Sequence, residues 1–110
     1  MTVRPPQSLS NPSSASSGLN LLEYELLSER ADALGRHGLK VERALALLHE
    51  RLGAGCDPQE RETLLNDAAD KVWAFFIQRE ICGLRSQKDA IHRYGIPREV
   101  IARLGIVRKG

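Results

Sequence analysis

Large apolar residues recur along this chain every three or four positions, and that spacing matches the pitch of an α-helix. The clearest run is Val41, Ala44, Leu45, Leu48 and Leu52. A second run begins at Leu64 and continues to Ile91. No segment reads convincingly as a strand with alternating apolar and polar residues. The pattern therefore predicts an all-α protein.

Capping signals divide the first half of the pattern. Asn20 followed by Glu23 has the form of a capping box and predicts a helix over residues 20–36. Gly35 and Gly38 favour a break there, with a second helix over residues 39–53. The alternative is one long helix through both glycines, since an internal glycine costs only about 1 kcal/mol relative to alanine.

The second half begins with the clearest start signal in the chain. Asp57, Pro58 and Glu60 supply an N-cap, a first-turn proline and an acidic residue, and predict a helix from residue 58. This helix is expected to reach residue 94, unless it kinks at Gly83 and restarts at Ser86. A short helix over residues 97–104 completes the set. The short connections predict a small antiparallel bundle of about four helices.

The N-terminal segment differs in composition. Residues 1–18 are rich in proline and serine, and Met1, Val3 and Leu9 are their only large apolar residues. Burial cannot offset the ordering entropy of such a segment, so residues 1–19 are expected to be a disordered tail before a single domain at 20–110. The chain starts without the apolar stretch of a secretion signal and has no membrane-length apolar run. A soluble, cytoplasmic protein without membrane contact is therefore expected.

The sequence offers little for catalysis or metal binding. His37, His49 and His92 are far apart and form no helical ligand pair, and Cys56 and Cys82 form no CxxC motif. Cys82 has the context of a small buried apolar residue, and no histidine is placed by sequence to activate Cys56. The prediction is a non-enzymatic protein with no cofactor, no metal and no small-molecule ligand.

Apolar side chains cover much of the circumference of the third predicted helix. Val72, Trp73, Phe75, Phe76 and Ile77 cover roughly 200° of its circumference, whereas contact with one core needs little more than 100°. Either this helix is central within the monomer, or it also meets a partner. The second explanation predicts a homodimer through Trp73, Phe76 and Ile77.

Charge is unevenly distributed. Residues 83–110 hold seven basic and two acidic residues, whereas residues 20–82 hold eight basic and twelve acidic ones. Within the basic part, the stretch from Lys88 to Leu104 resembles a helix-turn-helix with Gly95 in the turn. That resemblance implies DNA contacts by Lys88, Arg93, Arg98 and Arg103. Three features depart from the motif: Ile91 replaces a small residue, the second helix is short, and Glu99 points outward. A purely structural helix corner is the alternative.

The segments Gln78–Arg85 and Tyr94–Gly105, together with Leu21-Leu22-Glu23, resemble a family of short, uncharacterised bacterial helical proteins. This resemblance implies a bacterial cytosolic origin and transfers no site residues. The sequence therefore predicts a protein interaction or assembly module, with itself or another protein as partner. A small nucleic-acid-binding protein is the alternative.

Overall fold

The computed structural model describes the backbone of residues 13–106 and the side chains of residues 18–106. The described part is all-helical and contains no strand, which confirms the predicted class. Its four helices are α1 (Ser13–Ala54), α2 (Pro58–Ile81), α3 (Gln87–Tyr94) and α4 (Arg98–Ile101).

The loop between α1 and α2 folds the chain back on itself. Gly55 adopts a φ of 85°, and α2 then begins as predicted: Asp57 Oδ1 accepts a hydrogen bond from the Glu60 amide at 2.7 Å, with Pro58 in the first turn. Across the loop, Arg51 Nε donates to Glu60 Oε2 at 2.7 Å. At the far end of α2, the Cys82 thiol lies 3.6 Å from the Arg30 carbonyl oxygen. Therefore α2 covers α1 only from its C-terminal end back to about Arg30.

One apolar core holds these elements together. The C-terminal half of α1 supplies Val41, Ala44, Leu45 and Leu48, all buried, and α2 supplies the largest share of the remainder. The C-terminal segment closes the core with Ala90, Ile96 and Val100. Burial of a large aliphatic side chain contributes roughly 1.5–3 kcal/mol, so this seam provides most of the stabilisation. The core residues from α2 are Leu65, Ala68, Ala69, Val72, Phe75 and Phe76.

The favoured break at Gly35 and Gly38 is wrong, because α1 is continuous through both. Gly38 is fully covered, and a Cβ added there would lie 2.8 Å from Tyr94 Oη and 3.5 Å from the Phe75 ring. The glycine therefore allows α1 to pack closely against α2 and α3. Close tertiary packing offsets the helix cost that the sequence argument assigned to this residue.

The predicted start of the first helix is also wrong. Helix α1 begins at Ser13 rather than Asn20, so residues 13–19 of the predicted disordered tail are helical. Adding residues to an existing helix is far less costly than starting one, and this favours extension through serines and Gly18. The remainder of the predicted tail, residues 1–12, lies outside the described residues.

The helix predicted over residues 58–94 is interrupted at Gly83, as the alternative proposed. Gly83 has a φ of 84°, and the Ser86 hydroxyl caps α3 by accepting from the Asp89 amide at 3.3 Å. Gly95, with a φ of 62°, turns the chain out of α3. The last predicted helix, 97–104, is shorter than expected: only Arg98–Ile101 is α-helical, followed by turns up to Gly105.

The two inner glycines of α1 provide a matched test of this packing. Nothing lies within 4 Å of a Cβ added at Gly35, so Gly35→Ala should raise the free energy of unfolding by about 0.5–1 kcal/mol. Gly38→Ala gains the same helix propensity but displaces the Tyr94 ring. Its free energy of unfolding should therefore be roughly 1–3 kcal/mol lower than that of Gly35→Ala. Urea denaturation measures both values. Equal stabilities would contradict the close approach at Gly38.

Candidate functional site

Helix α1 extends well beyond the helix that covers it. We call residues 18–29 the α1 arm; every side chain in it is exposed. At 1.5 Å per residue the arm is about 18 Å long. It carries six large apolar side chains that are more than half exposed: Leu19, Leu21, Leu22, Tyr24, Leu26 and Leu27.

These side chains are not spread evenly around the arm. At about 100° per residue, Leu19, Leu22, Leu26 and Leu27 fall within an arc of roughly 140°. We call these four the leucine arc. Glu23 and the neighbouring Arg30, seven residues apart, also lie in this arc, and no ion pair within the described part of the chain engages either one. Leu21 lies on the opposite face. The arm is therefore amphipathic, although nothing in the described chain packs against it.

A small apolar pocket marks the place where α2 stops. Leu27, Arg30, Ala31, Leu34 and Cys82 line it, and its volume is about 190 Å³. We call it the Cys82 socket. Leu27 belongs to both the socket and the leucine arc, so the socket adjoins the end of the arm that is nearest to α2.

The predicted self-association residues on α2 do not share one environment. Phe76 is buried in the core, only 3% exposed, and its assignment to a partner surface is wrong. It faces the core because α2 is covered by α1 and by the C-terminal segment. Trp73 and Ile77 are 43% and 44% exposed, and the Trp73 ring lies 3.4 Å from a Cβ built at Gly105. Self-association through Trp73 and Ile77 therefore stays a prediction.

The C-terminal corner places its basic residues in two groups. Lys88, Arg93 and Arg98 are exposed on its surface. Arg103 instead forks onto Glu62 of α2, with Nη2–Oε1 and Nε–Oε2 distances of 2.9 and 3.2 Å. A second link joins Arg61 to Glu99, and this hydrogen bond raises the pKa of Arg61. These ion pairs attach the corner to α2, so Arg103 and the outward-pointing Glu99 serve in packing.

Among the described residues, the groove that contains His49 includes neither thiol. His49 lies in an open groove with Glu42, Arg93 and Tyr94, whereas Cys82 lies in its own socket. Cys56 and Cys82 are both free thiols. Among residues 18–106, no three His, Cys, Asp or Glu side chains are grouped as a metal site would need. No helix in the described part of the chain combines the length and apolarity that a membrane span requires.

The arm was not predicted as a site. The helix predicted over residues 20–36 was expected to pack within the bundle, so the exposure of Leu22 and Leu26 was not anticipated. The one available signal is the alternative break at Gly83. If α2 ends there, the seam spacing that runs from Leu48 back through Leu34 and Leu27 to Tyr24 extends beyond the length that α2 can cover.

The Arg103–Glu62 link yields a stability prediction. Arg103→Ala removes a two-pronged ion pair between α2 and the corner, and should lower the free energy of unfolding by about 1 kcal/mol. The matched control is Arg93→Ala, whose side chain is 73% exposed and 3.9 Å from Asp89; this change should stay within about 0.5 kcal/mol of wild type. Urea denaturation at low salt measures both. Equal losses would contradict a packing role for Arg103.

Comparison with known proteins adds a family but no activity. No curated protein and no solved structure match the chain. One family model covers its full length, residues 1–110, and its description is a family of unknown function. Because this match spans the whole sequence, the chain belongs to the family of unknown function DUF6665.

Proposed function

We propose that this protein is a non-enzymatic assembly module that binds a helical partner along the leucine arc of the α1 arm. The observation that carries the proposal is the exposure of Leu19, Leu22, Leu26 and Leu27, between 52% and 63%, on one face of a helix. Contiguous exposed apolar surface of this kind marks an interaction site on a small protein.

Helix stability supports the same conclusion. The arm continues the packed part of α1 and so avoids the cost of starting a helix, but most helical stability in proteins comes from tertiary packing of an amphipathic face. The arm lacks such packing within the described chain. A partner that buried the four arc leucines would contribute on the order of 1 kcal/mol for each, because each is already partly covered. Binding would therefore stabilise the arm as well as hold the partner.

The packing of α2 on α1 indicates what kind of partner would fit on the uncovered arm. The leucine arc lies beside the seam that α1 uses for α2 and shares Leu27 with it, and α2 ends opposite Arg30. A second helix laid on the arm would extend this helix-on-helix packing without a change in the side-chain period. The antiparallel bundle predicted from sequence would then be completed by the partner. Such helix-in-groove recognition relies on apolar anchors three and four residues apart, as in the arc.

Nucleic-acid binding is the alternative proposal and has less support. Lys88, Arg93 and Arg98 are exposed, as phosphate contacts must be, but the helix that would enter the major groove has four residues. Arg103 is held by Glu62. Filter binding to duplex DNA at low salt tests this alternative; affinity that falls steeply with added salt would favour it over assembly.

Site-specific photo-crosslinking in living cells tests the assembly proposal. A photoreactive residue replaces Leu26 in the arc or, as matched control, Leu21 on the opposite face; the two leucines are 52% and 60% exposed. Position 26 should give a defined adduct, with itself or another protein, because a partner covers that face. Position 21 should give little. Absence of any adduct at position 26, or equal yields at both positions, would contradict the proposal.

A further inference from the structure

We infer that the partner of the α1 arm is a second copy of this chain, and that the two arms pair antiparallel about a two-fold axis. This inference rests on the proposed function and names its partner. The structure provides two supports: the charges in the leucine arc and the length of arm that α2 leaves uncovered.

The charges specify orientation. Glu23 and Arg30 are one heptad apart and share the leucine arc. In a parallel pair, Glu23 would face Glu23 and Arg30 would face Arg30, which repels twice. In an antiparallel pair, Glu23 of each copy faces Arg30 of the other, which attracts twice. Charged groups at such seam positions set the register and direction of helix pairs.

The same register aligns the apolar groups. When Glu23 faces Arg30 of the second copy, the two-fold axis passes between Leu26 and Leu27, so these residues meet their counterparts. Glu23 of the second copy then lies beside Arg30, which also lines the Cys82 socket. Charge and apolar packing thus agree on one arrangement.

The arm is also of a size that self-pairing can use. A stable interface needs roughly 1,000 Å² of buried surface in total, and two arms with two sockets offer an area of that order. Symmetry doubles every contact, so eight arc leucines are buried together. The chain's own N-terminal residues 1–12 are a poor substitute cover, because Met1, Val3 and Leu9 are their only large apolar residues.

The first test is the mass in solution. Size-exclusion chromatography with light scattering, at about 100 µM, should give twice the 12.2 kDa chain mass for the wild type. Leu26→Glu should give a monomer, and its matched control Leu21→Glu should remain a dimer. Both positions lie outside the core, and the thermal melt of each variant checks folding. A monomeric wild type, or equal effects of the two changes, would overturn self-pairing.

Charge reversal tests the antiparallel direction. Glu23→Arg and Arg30→Glu should each weaken dimerisation by at least about tenfold, because each creates two like-charge contacts. The double variant should recover the wild-type dissociation constant, since both pairs are restored in reverse. A parallel pair would respond little to either single change. Single variants with unaltered affinity, or a double variant without recovery, would overturn the antiparallel arrangement.

Thiol labelling tests the socket. Alkylation of Cys82 should slow at least about tenfold between dilute and concentrated protein, because the second copy, with its Glu23 beside Arg30, restricts access to the socket. Cys56, at the opposite end of α1, is the internal reference and should keep its rate. Equal behaviour of both thiols would overturn this contact. These tests also separate self-pairing from the proposed function. If the protein is monomeric and position 26 crosslinks only to a different protein, self-pairing is refuted but the assembly function is not.

Discussion

The packing of α2 along the C-terminal half of α1 is the contact on which the remaining structure depends. Val41, Leu45 and Leu48 interlock with the buried face of α2, and the C-terminal corner then closes over the end of this pair. Since α1 has 42 residues and α2 has 24, this contact necessarily leaves part of α1 uncovered. The exposed arm is a direct consequence of the unequal lengths of two packed helices.

The corner and the arm show opposite uses of charge. At the corner, Arg103 and Arg61 are paired with Glu62 and Glu99, so the ion pairs join elements of one chain. Surface pairs of this kind add little stability individually, and their value lies in fixing the orientation of α4. Glu23 on the arm and the neighbouring Arg30 lie among leucines, where an opposite charge from outside the chain would fix a partner's orientation.

A small protein gains more from assembly than a large one. A chain of this size buries only about 60–65% of the surface its unfolded form exposes, so its core is thin. Here the described core residues begin at Val41, and the preceding α1 residues contribute no fully buried side chain apart from the contact at Gly38. Pairing of the arms would add a second apolar centre to the first and would give the first half of α1 a structural role.

The sequence by itself determined the helical class, the start of α2 at Asp57 and Pro58, and most of the residues that form the core. These features follow from local capping chemistry and from side-chain period, which neighbouring residues encode. Tertiary structure alone decided that α1 runs through Gly38, that Phe76 faces inward, and that the arm leucines face solvent. Each of these depends on which helix lies opposite, and an apolar stripe has the same spacing whether its partner is in the chain or outside it.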